Sequence, residues 1–304
     1  MTAKTDPVLL QNKYISLEVL PEPGGKISSL VDRRTGREWL WKNPHLTIRQ
    51  PVYGESYTKN IDFGGWDEIF PSISPVTLAD GTKIPDHGEL VFLPATVQQT
   101  GPHTLVTTWL GRAINTKFIR TITLEDSLVR VAYALESLQA QAVPYLWACH
   151  PLIALEPGMV LEVPTQRFLT RDTTPIPDLP ITHLSSGGSR FDIADPQSDA
   201  SVAAMAHKIF TTKGDVDSLK IEAADGGVLE LSWDLETIPY LGLWLNLRGW
   251  SGCDVPPYFN LGIEPTTAPY DELLEAVESG CHRILAPGDV HRWSMQFRLN
   301  DHRS

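Results

Sequence analysis

The chain has 304 residues, of which 42% are hydrophobic and 20% charged, fractions typical of a folded globular protein rather than a disordered or fibrous one. Its 25 Lys and Arg residues against 37 Asp and Glu residues give a net charge of −12. An acidic surface repels phosphate backbones, so no nucleic-acid partner is expected.

Strands with one buried face dominate the predicted secondary structure. Apolar and polar side chains that alternate with a period of two predict a strand, because successive side chains of a strand point to opposite faces. β-Branched residues indicate a further pair of strands at 104–110 and 117–124. An Asp-Gly-Gly sequence at 225–227 predicts a hairpin turn. The alternating segments are 15–19, 129–135, 229–233 and 293–299.

The clearest helix signal covers residues 269–280. Tyr270, Leu273, Leu274 and Val277 recur at helical spacing, Pro269 suits the first turn, and a glycine suits the C-terminal cap. Strands and helices do not alternate along the chain, which excludes a Rossmann or TIM-barrel fold. The pattern therefore predicts an all-β protein with few short helices.

The segment 169–199 is poor in apolar periodicity and rich in proline. It fits either a linker between two domains or a long surface excursion within one domain. Similar strand patterns on both sides of the segment favour the excursion.

The cysteines and the lengths of the apolar runs indicate which bound metals, disulfides and cellular locations are expected. The three cysteines, Cys149, Cys253 and Cys281, form no CxxC pair, so neither a structural zinc site nor a disulfide framework is predicted. Such a composition suggests a reducing compartment. No run of about 18 apolar residues occurs, and the N-terminus lacks a signal-peptide pattern. We expect a cytoplasmic protein that is not bound to a membrane.

Three titratable residues in Gly- or Pro-containing segments are candidates for chemistry. His150 precedes Pro151, which holds it extended; taken alone, it is better explained as a hydrogen-bonded histidine in a half-buried strand. His87 precedes a glycine, and an exposed loop histidine is its alternative reading. Glu264 lies in an otherwise apolar strand, where a carboxylate is costly unless it is paired or functional. Together they form an acid–base set that requires no metal and no nucleophile.

The tryptophans divide into two predicted groups. Trp66, Trp147 and Trp244 lie in or near the candidate segments and could supply flat apolar surface for the C–H face of a sugar ring. Trp233 and Trp293 alternate like core residues.

An ordered set of motifs along nearly the whole chain resembles the aldose 1-epimerase (mutarotase) superfamily. The motifs are Gly24-Gly-Lys-Ile-Ser-Ser-Leu30 with Thr35-Gly-Arg-Glu38, Gly64-Gly-Trp-Asp-Glu68 with His87-Gly88, Cys149-His-Pro-Leu152, Gly262-Ile-Glu-Pro265, and Leu285-Ala-Pro-Gly-Asp289 followed by Trp293. The resemblance implies a large antiparallel β-sandwich of the galactose mutarotase type, a single domain over residues 1–304.

The resemblance also implies an isomerase that interconverts the α and β anomers of an aldohexose or related sugar. Glu264 matches the family's general base, His150 its general acid, and His87 a catalytic-site histidine that contacts the sugar. No cofactor and no metal is implied, and the expected partner is a small-molecule sugar bound by a monomer or homodimer. The expected substrate-binding residues are Trp66, Asp67, Glu68, Arg49 and Trp244.

One departure affects the substrate. Galactose mutarotases carry an Asp-His pair on a later strand, and the best match here is Ala206-His207, so the sugar-binding aspartate is missing. Asp67 and Glu68 are candidates to replace it.

Two alternative functions stay open at this point. A sugar-phosphate 1-epimerase would need an arginine cluster, for which Arg49, Arg112 and Arg120 are candidates. A non-catalytic carbohydrate-binding protein could use the same fold, although a binder needs neither an acid nor a base. A polysaccharide lyase on a related sandwich is a more distant reading.

Overall fold

A computed structural model describes residues 6–170, 181–185 and 187–301. The described residues form 24 strands and one short α-helix, α1 (Leu273–Glu278), with a π-helical turn at Tyr57–Ile61 and a 3-10 turn at Leu90–Phe92. The first twelve strands are β1 (Val8–Gln11), β2 (Ile15–Leu20), β3 (Lys26–Asp32), β4 (Arg37–Glu38), β5 (Trp66–Ile69), β6 (Val76–Thr77), β7 (Lys83–Ile84), β8 (Thr96–Gly101), β9 (Thr104–Leu110), β10 (Thr116–Glu125), β11 (Leu128–Ser137) and β12 (Val143–Tyr145). The other twelve are β13 (Ala148–Ala154), β14 (Val160–Val163), β15 (Phe168–Thr170), β16 (Ile181–His183), β17 (Ser189–Asp192), β18 (Met205–Thr211), β19 (Ser218–Glu222), β20 (Gly227–Trp233), β21 (Tyr240–Leu247), β22 (Phe259–Thr266), β23 (Arg283–Leu285) and β24 (Val290–Asp301).

Two sheets of ten strands each make up the molecule. The first has the order β1-β2-β3-β5-β13-β22-β21-β18-β15, with β4 paired to β3, and the second has the order β16-β17-β14-β19-β20-β24-β11-β10-β9-β8. Neighbouring strands such as β10 and β11 pair antiparallel over their full length. Two-stranded ribbons, β12-β23 and β6-β7, complete the structure. The predicted all-β antiparallel sandwich is confirmed.

The core lies between the two sheets and draws apolar side chains from both in one continuous cluster. The predicted pair at 104–110 and 117–124 is the β9-β10 ladder. The predicted turn at 225–227 joins β19 to β20. Trp233 and Trp293 are buried, as their alternation predicts. These side chains are buried because one face of each strand packs into the core, away from water.

The helix is shorter than its sequence pattern predicts. It begins at Leu273 rather than at Pro269, because Glu272 has an extended backbone. The preceding carbonyl, that of Asp271, accepts hydrogen bonds from the N–H groups of Ile73 and Ser74 at 2.9 and 2.7 Å. Gly280 lies just beyond the C-terminal cap with a φ of +69°, where a glycine is favoured.

The described part of the proline-rich segment 169–199 adds β16 and β17 to the edge of the second sheet beside β14. Residues 171–180 lie outside the described residues. That the whole chain is one domain stays a prediction. No helix in the described ranges is long and apolar enough to cross a membrane.

Candidate active site

A cavity of about 210 Å³ opens on the face of the first sheet that points away from the second sheet. Strand alternation creates this face: Leu261 and Ile263 of β22 enter the core, whereas Asn260 and Glu264 line the cavity. The floor of the cavity therefore consists of strand residues. Its rim consists of residues from connecting segments, among them Asp62, His87 and Trp250.

Strand register places His150 and Glu264 side by side. Ala148 pairs with Thr266 and Leu152 with Gly262, so His150 of β13 lies opposite Glu264 of β22. The His150 Nε2 and Glu264 Oε1 atoms are 3.5 Å apart, and the Glu264 side chain is fully buried. The expected acid and base thus adjoin on neighbouring strands.

His87 reaches the same cavity from the segment between β7 and the 3-10 turn. Its Nδ1 lies 2.9 Å from Asp86 Oδ1. Its ring stacks on Tyr57 at a centroid distance of 3.8 Å and meets the His150 ring edge-on at 5.8 Å. The next residue, Gly88, has a φ of +72°, and a Cβ there would lie 2.3 Å from the Phe70 carbonyl oxygen, so only glycine fits. The three expected catalytic residues therefore line one cavity.

Lys208 of β18 is a cavity residue that the sequence analysis did not identify. Its Nζ forms an ion pair with Glu264 Oε2 and lies 3.4 Å from Asp271 Oδ1. It shares a strand face with Ala206, the residue at the place of the family's aspartate, because the two are separated by the strand period of two. That alternation was the signal that could have identified Lys208.

Aromatic rings and carboxylates complete the cavity lining. Trp244 lines the cavity as expected, and its ring meets Trp250 edge-on at 5.8 Å. Trp250 in turn meets Tyr258 at 5.9 Å. Neither Trp250 nor Tyr258 carries a motif that would have identified it from sequence. The rim carboxylates are Asp62, Asp86 and Asp271.

Several buried polar atoms of the cavity have no hydrogen-bond partner among the described residues. They are Asp62 Oδ1, His150 Nδ1, Asn260 Oδ1, Glu264 Oε1 and Asp271 Oδ1. Buried polar groups are nearly always paired in folded proteins. Such a group of unpaired acceptors and donors is suited to a ligand rich in hydroxyl groups.

Burial and neighbouring charges shift the pKa values of three cavity residues, His150, Lys208 and Asp62. Burial, with the nearby charges of His87 and Lys208, lowers the pKa of His150 well below its ordinary value, so its imidazole is neutral at pH 7. Burial disfavours the Lys208 ammonium, yet Asp271 and Glu264 outweigh it and raise the pKa of Lys208. Burial also raises the pKa of Asp62 to about 6.

The expected sugar-binding roles of Trp66 and Glu68 are wrong. β5 turns both side chains into the core, where Trp66 is fully buried against Phe297 at a ring distance of 4.4 Å. Glu68 forms a fully buried ion pair with Arg120. The Trp147 indole is likewise buried and donates a 3.1 Å hydrogen bond to Glu68. None of these side chains reaches the cavity.

Asp67 and Arg49 do not line the cavity either, which contradicts their expected binding roles. Asp67 is buried behind Tyr57, whose hydroxyl donates a 2.7 Å hydrogen bond to it, and it pairs with Lys26 at 2.5 Å. Arg49 pairs with Glu55 at 2.6 Å. Neither Asp67 nor Glu68 therefore replaces the missing aspartate.

Within the described ranges, no group of three His, Cys, Asp or Glu side chains is arranged to hold a metal ion.

No protein-family model matches this chain, and no curated protein matches it in sequence. Solved structures do match its fold. The Slr1438 protein from Synechocystis sp. PCC 6803 is 17% identical with a TM-score of 0.70, over 99% of this chain and 98% of that chain. A galactose mutarotase-like protein from Lactobacillus casei is 16% identical with a TM-score of 0.68, over 97% of this chain and 100% of that chain. An aldose epimerase homologue from C. elegans is 13% identical with a TM-score of 0.65, over 98% of this chain and 99% of that chain. The resemblance stated from the motifs is confirmed for the fold, which is the galactose mutarotase-like sandwich.

Proposed function

We propose that the protein is an aldose 1-epimerase that interconverts the α and β anomers of an unphosphorylated aldose. The observation that carries this proposal is the contact between His150 Nε2 and Glu264 Oε1 at 3.5 Å, in a cavity with aromatic walls and unpaired polar atoms. An acid and a base at this short distance can act on the two oxygens bound to the anomeric carbon, the hydroxyl oxygen and the ring oxygen. A protein that only binds sugars gains nothing from such a pair.

The reaction needs only proton transfers. Glu264 takes the proton of the anomeric hydroxyl while the neutral His150 ring donates its Nε2 proton to the ring oxygen and is left as an imidazolate. The bond between C1 and the ring oxygen breaks, and the open-chain aldehyde forms. Rotation about C1–C2 exposes the other face, the ring oxygen returns its proton to His150 as the ring closes, and Glu264 protonates the new anomeric oxygen. Each positioned group contributes about 10²–10⁴-fold.

The lowered pKa of His150 gives a prediction for the pH dependence of kcat. Because the imidazole is already neutral at pH 7, the proton it donates is the Nε2 proton of the neutral ring. We expect kcat to stay constant within about twofold from pH 6.5 to 8.5, since His150 stays neutral over this range. Anomer exchange followed by NMR over this range tests it. A tenfold fall in kcat per pH unit would show instead that an imidazolium is the acid.

The charges around the cavity favour a substrate without a phosphate. Four carboxylates line it, those of Asp62, Asp86, Glu264 and Asp271. Lys208 is the sole Lys or Arg in the lining that the structure describes, and it already contacts two of these carboxylates. A phosphate dianion would meet net negative charge here.

The arginines considered for a phosphate site are engaged elsewhere. Arg49 pairs with Glu55, and Arg112 lies over the Tyr53 ring at 4.2 Å. Arg120 is fully buried between the sheets. The positions of these arginines favour an epimerase that acts on an unphosphorylated sugar over a sugar-phosphate 1-epimerase.

A substrate panel tests the function. We expect NMR exchange spectroscopy to show faster anomer exchange for at least one neutral aldose, and at least about tenfold lower kcat/KM for the phosphate ester of the same sugar at its terminal carbon. If sugars bind without faster exchange, the protein is a carbohydrate-binding protein. If only the phosphates respond, the sugar-phosphate reading is correct.

A further inference from the structure

Lys208 is an unusual residue for the floor of this cavity. Its side chain is only 17% exposed, and its stem passes the Phe210 ring with Nζ 5.3 Å from the ring centroid. A lysine buried to this degree is costly unless its charge is compensated. Glu264 and Asp271 provide that compensation from two different parts of the chain.

The backbone leaves a gap through which Lys208 reaches Glu264. Lys208 lies opposite Trp244 of β21, while Gly242 of the same strand lies opposite Glu264 of β22. A Cβ at position 242 would lie 3.3 Å from both Lys208 Cε and Glu264 Cβ, and 3.0 Å from the Phe210 ring. Because Gly242 on the intervening strand β21 has no side chain, Lys208 of β18 can form an ion pair with Glu264 of β22, although β18 and β22 are not neighbours.

The ion pair makes the two oxygens of Glu264 different. Oε2 is bound to the ammonium, whereas Oε1 has no hydrogen-bond partner and faces His150 Nε2 at 3.5 Å. A general base must be ionised and must present a free oxygen toward the proton it takes. We propose that Lys208 is the positioning residue for the base: it keeps Glu264 ionised and turns Oε1 alone toward the anomeric hydroxyl. This inference rests on the proposed epimerase function.

The other groups around Glu264 cannot replace Lys208 in this role. His150 of β13 faces it in neutral form, and Asp271 adds negative charge from the segment before α1. The rim residues His87, Asp86 and Asp62 line the same cavity, and no ion pair joins any of them to Glu264. Lys26 lies behind the lining, where it is bound to Asp67. Without Lys208, the fully buried Glu264 carboxylate would lose its ion pair with a cation, and burial without such a partner favours the protonated form.

Lys208 does not act as a nucleophile toward the open-chain aldehyde. Asp271 and Glu264 raise the pKa of its ammonium, although burial opposes this, so the amine keeps its proton at neutral pH. Imine formation needs the free amine. The positioning role is the one that the contacts support.

Lys208→Met tests the inference through the pH profile. We expect kcat/KM at pH 7 to fall about tenfold or more, and the acidic limb of the profile to move to a pH about one unit higher or more. Raising the pH should then recover most of the rate. Lys208→Arg, which keeps the charge, should hold the acidic limb close to that of the wild type. Lys213→Met, an exposed lysine after β18, is the matched control and should leave the profile unchanged.

A readout independent of activity separates this inference from the proposed function. The Glu264 carboxyl carbon can be followed by ¹³C NMR in the wild type and in Lys208→Met, with Lys208→Gln as a second variant if the first unfolds. We expect the titration midpoint to move to higher pH in either variant. An unmoved midpoint, or an equal loss of rate at every pH, would overturn the positioning role. A wild type without anomer exchange would overturn the epimerase proposal even if the midpoint moves.

Discussion

Replacing Glu264 with Gln is expected to slow anomer exchange by about two to four orders of magnitude, the usual contribution of a general base. The amide keeps the shape of the side chain but cannot accept the anomeric proton at Oε1. The proton must then pass to a group that is not positioned as Glu264 is, at the buried end of the cavity. The expected change lies in kcat, because Trp244 and the rim residues that line the proposed sugar site stay in place.

NMR exchange spectroscopy with a neutral aldose measures this loss, and ligand titration shows whether binding survives. The variant is expected to fold, because Lys208 still has Asp271 within 3.4 Å. Glu278→Gln, an exposed glutamate on α1, is the matched control and should keep the wild-type rate. A loss of less than about tenfold in Glu264→Gln would mean that another group is the base.

The second large effect concerns stability. Arg120→Met is expected to lower the free energy of unfolding by about 3–5 kcal/mol, since it leaves a buried charge without its partner. Arg120 is fully buried, with Nη1 3.2 Å from Glu68 Oε1 and Nη2 2.6 Å from the carbonyl oxygen of Gly25. After the substitution, Tyr133 and Trp147 alone would hydrogen-bond the Glu68 carboxylate.

The free energy of unfolding lost in Arg120→Met should be smaller at low pH than at high pH. Burial raises the pKa of Glu68 to about 7, even though Arg120 and its two other donors favour the carboxylate. In the unfolded chain a glutamate has a pKa of about 4.3. A raised folded-state pKa gives a contribution to stability that is present at low pH and is lost as the pH rises through the folded value. Arg120→Met should therefore lose less stability at pH 5.5, where Glu68 is protonated, than at pH 8.

Urea unfolding at the two pH values measures the effect. Arg130→Met removes an exposed arginine that pairs with Glu125 at 2.7 Å, and it should cost no more than about 1 kcal/mol. The double variant Glu68→Gln with Arg120→Met should recover part of the lost stability, because no unpaired charge remains. A loss below about 1 kcal/mol at pH 8 in the single variant would contradict the structural role of the pair.

The alternation of apolar and polar residues predicts strands wherever one face meets water, as in β11 and β24. β5 lacks that signal, because all four of its residues are buried and no polar alternation distinguishes the core face from the cavity face. For that reason Trp66 and Glu68 were assigned to the sugar although they lie in the core. The partner of Glu68 is Arg120, on a strand of the other sheet, and no local pattern reveals such a pair.

The residues proposed as acid and base are easier to predict from sequence than the cavity residues around them. Glu264 is a carboxylate in an apolar strand, which is conspicuous on energetic grounds alone. Lys208 looked ordinary, because a lysine on a strand usually faces water. Its role depends on Gly242 in the neighbouring strand and on Asp271 beyond the next one. Contacts of this kind follow from strand order, which the sequence does not display.

The separation of a strand-built floor from a rim of connecting segments has a practical consequence for redesign. His150 and Glu264 are fixed by ladders whose other face is the core, so the proposed acid–base pair tolerates little movement. Asp62, Asp86 and Trp250 belong to segments outside the strands. If the protein is an epimerase as proposed, randomising those rim positions should change which sugar it accepts and leave the proposed acid–base pair of the floor unchanged.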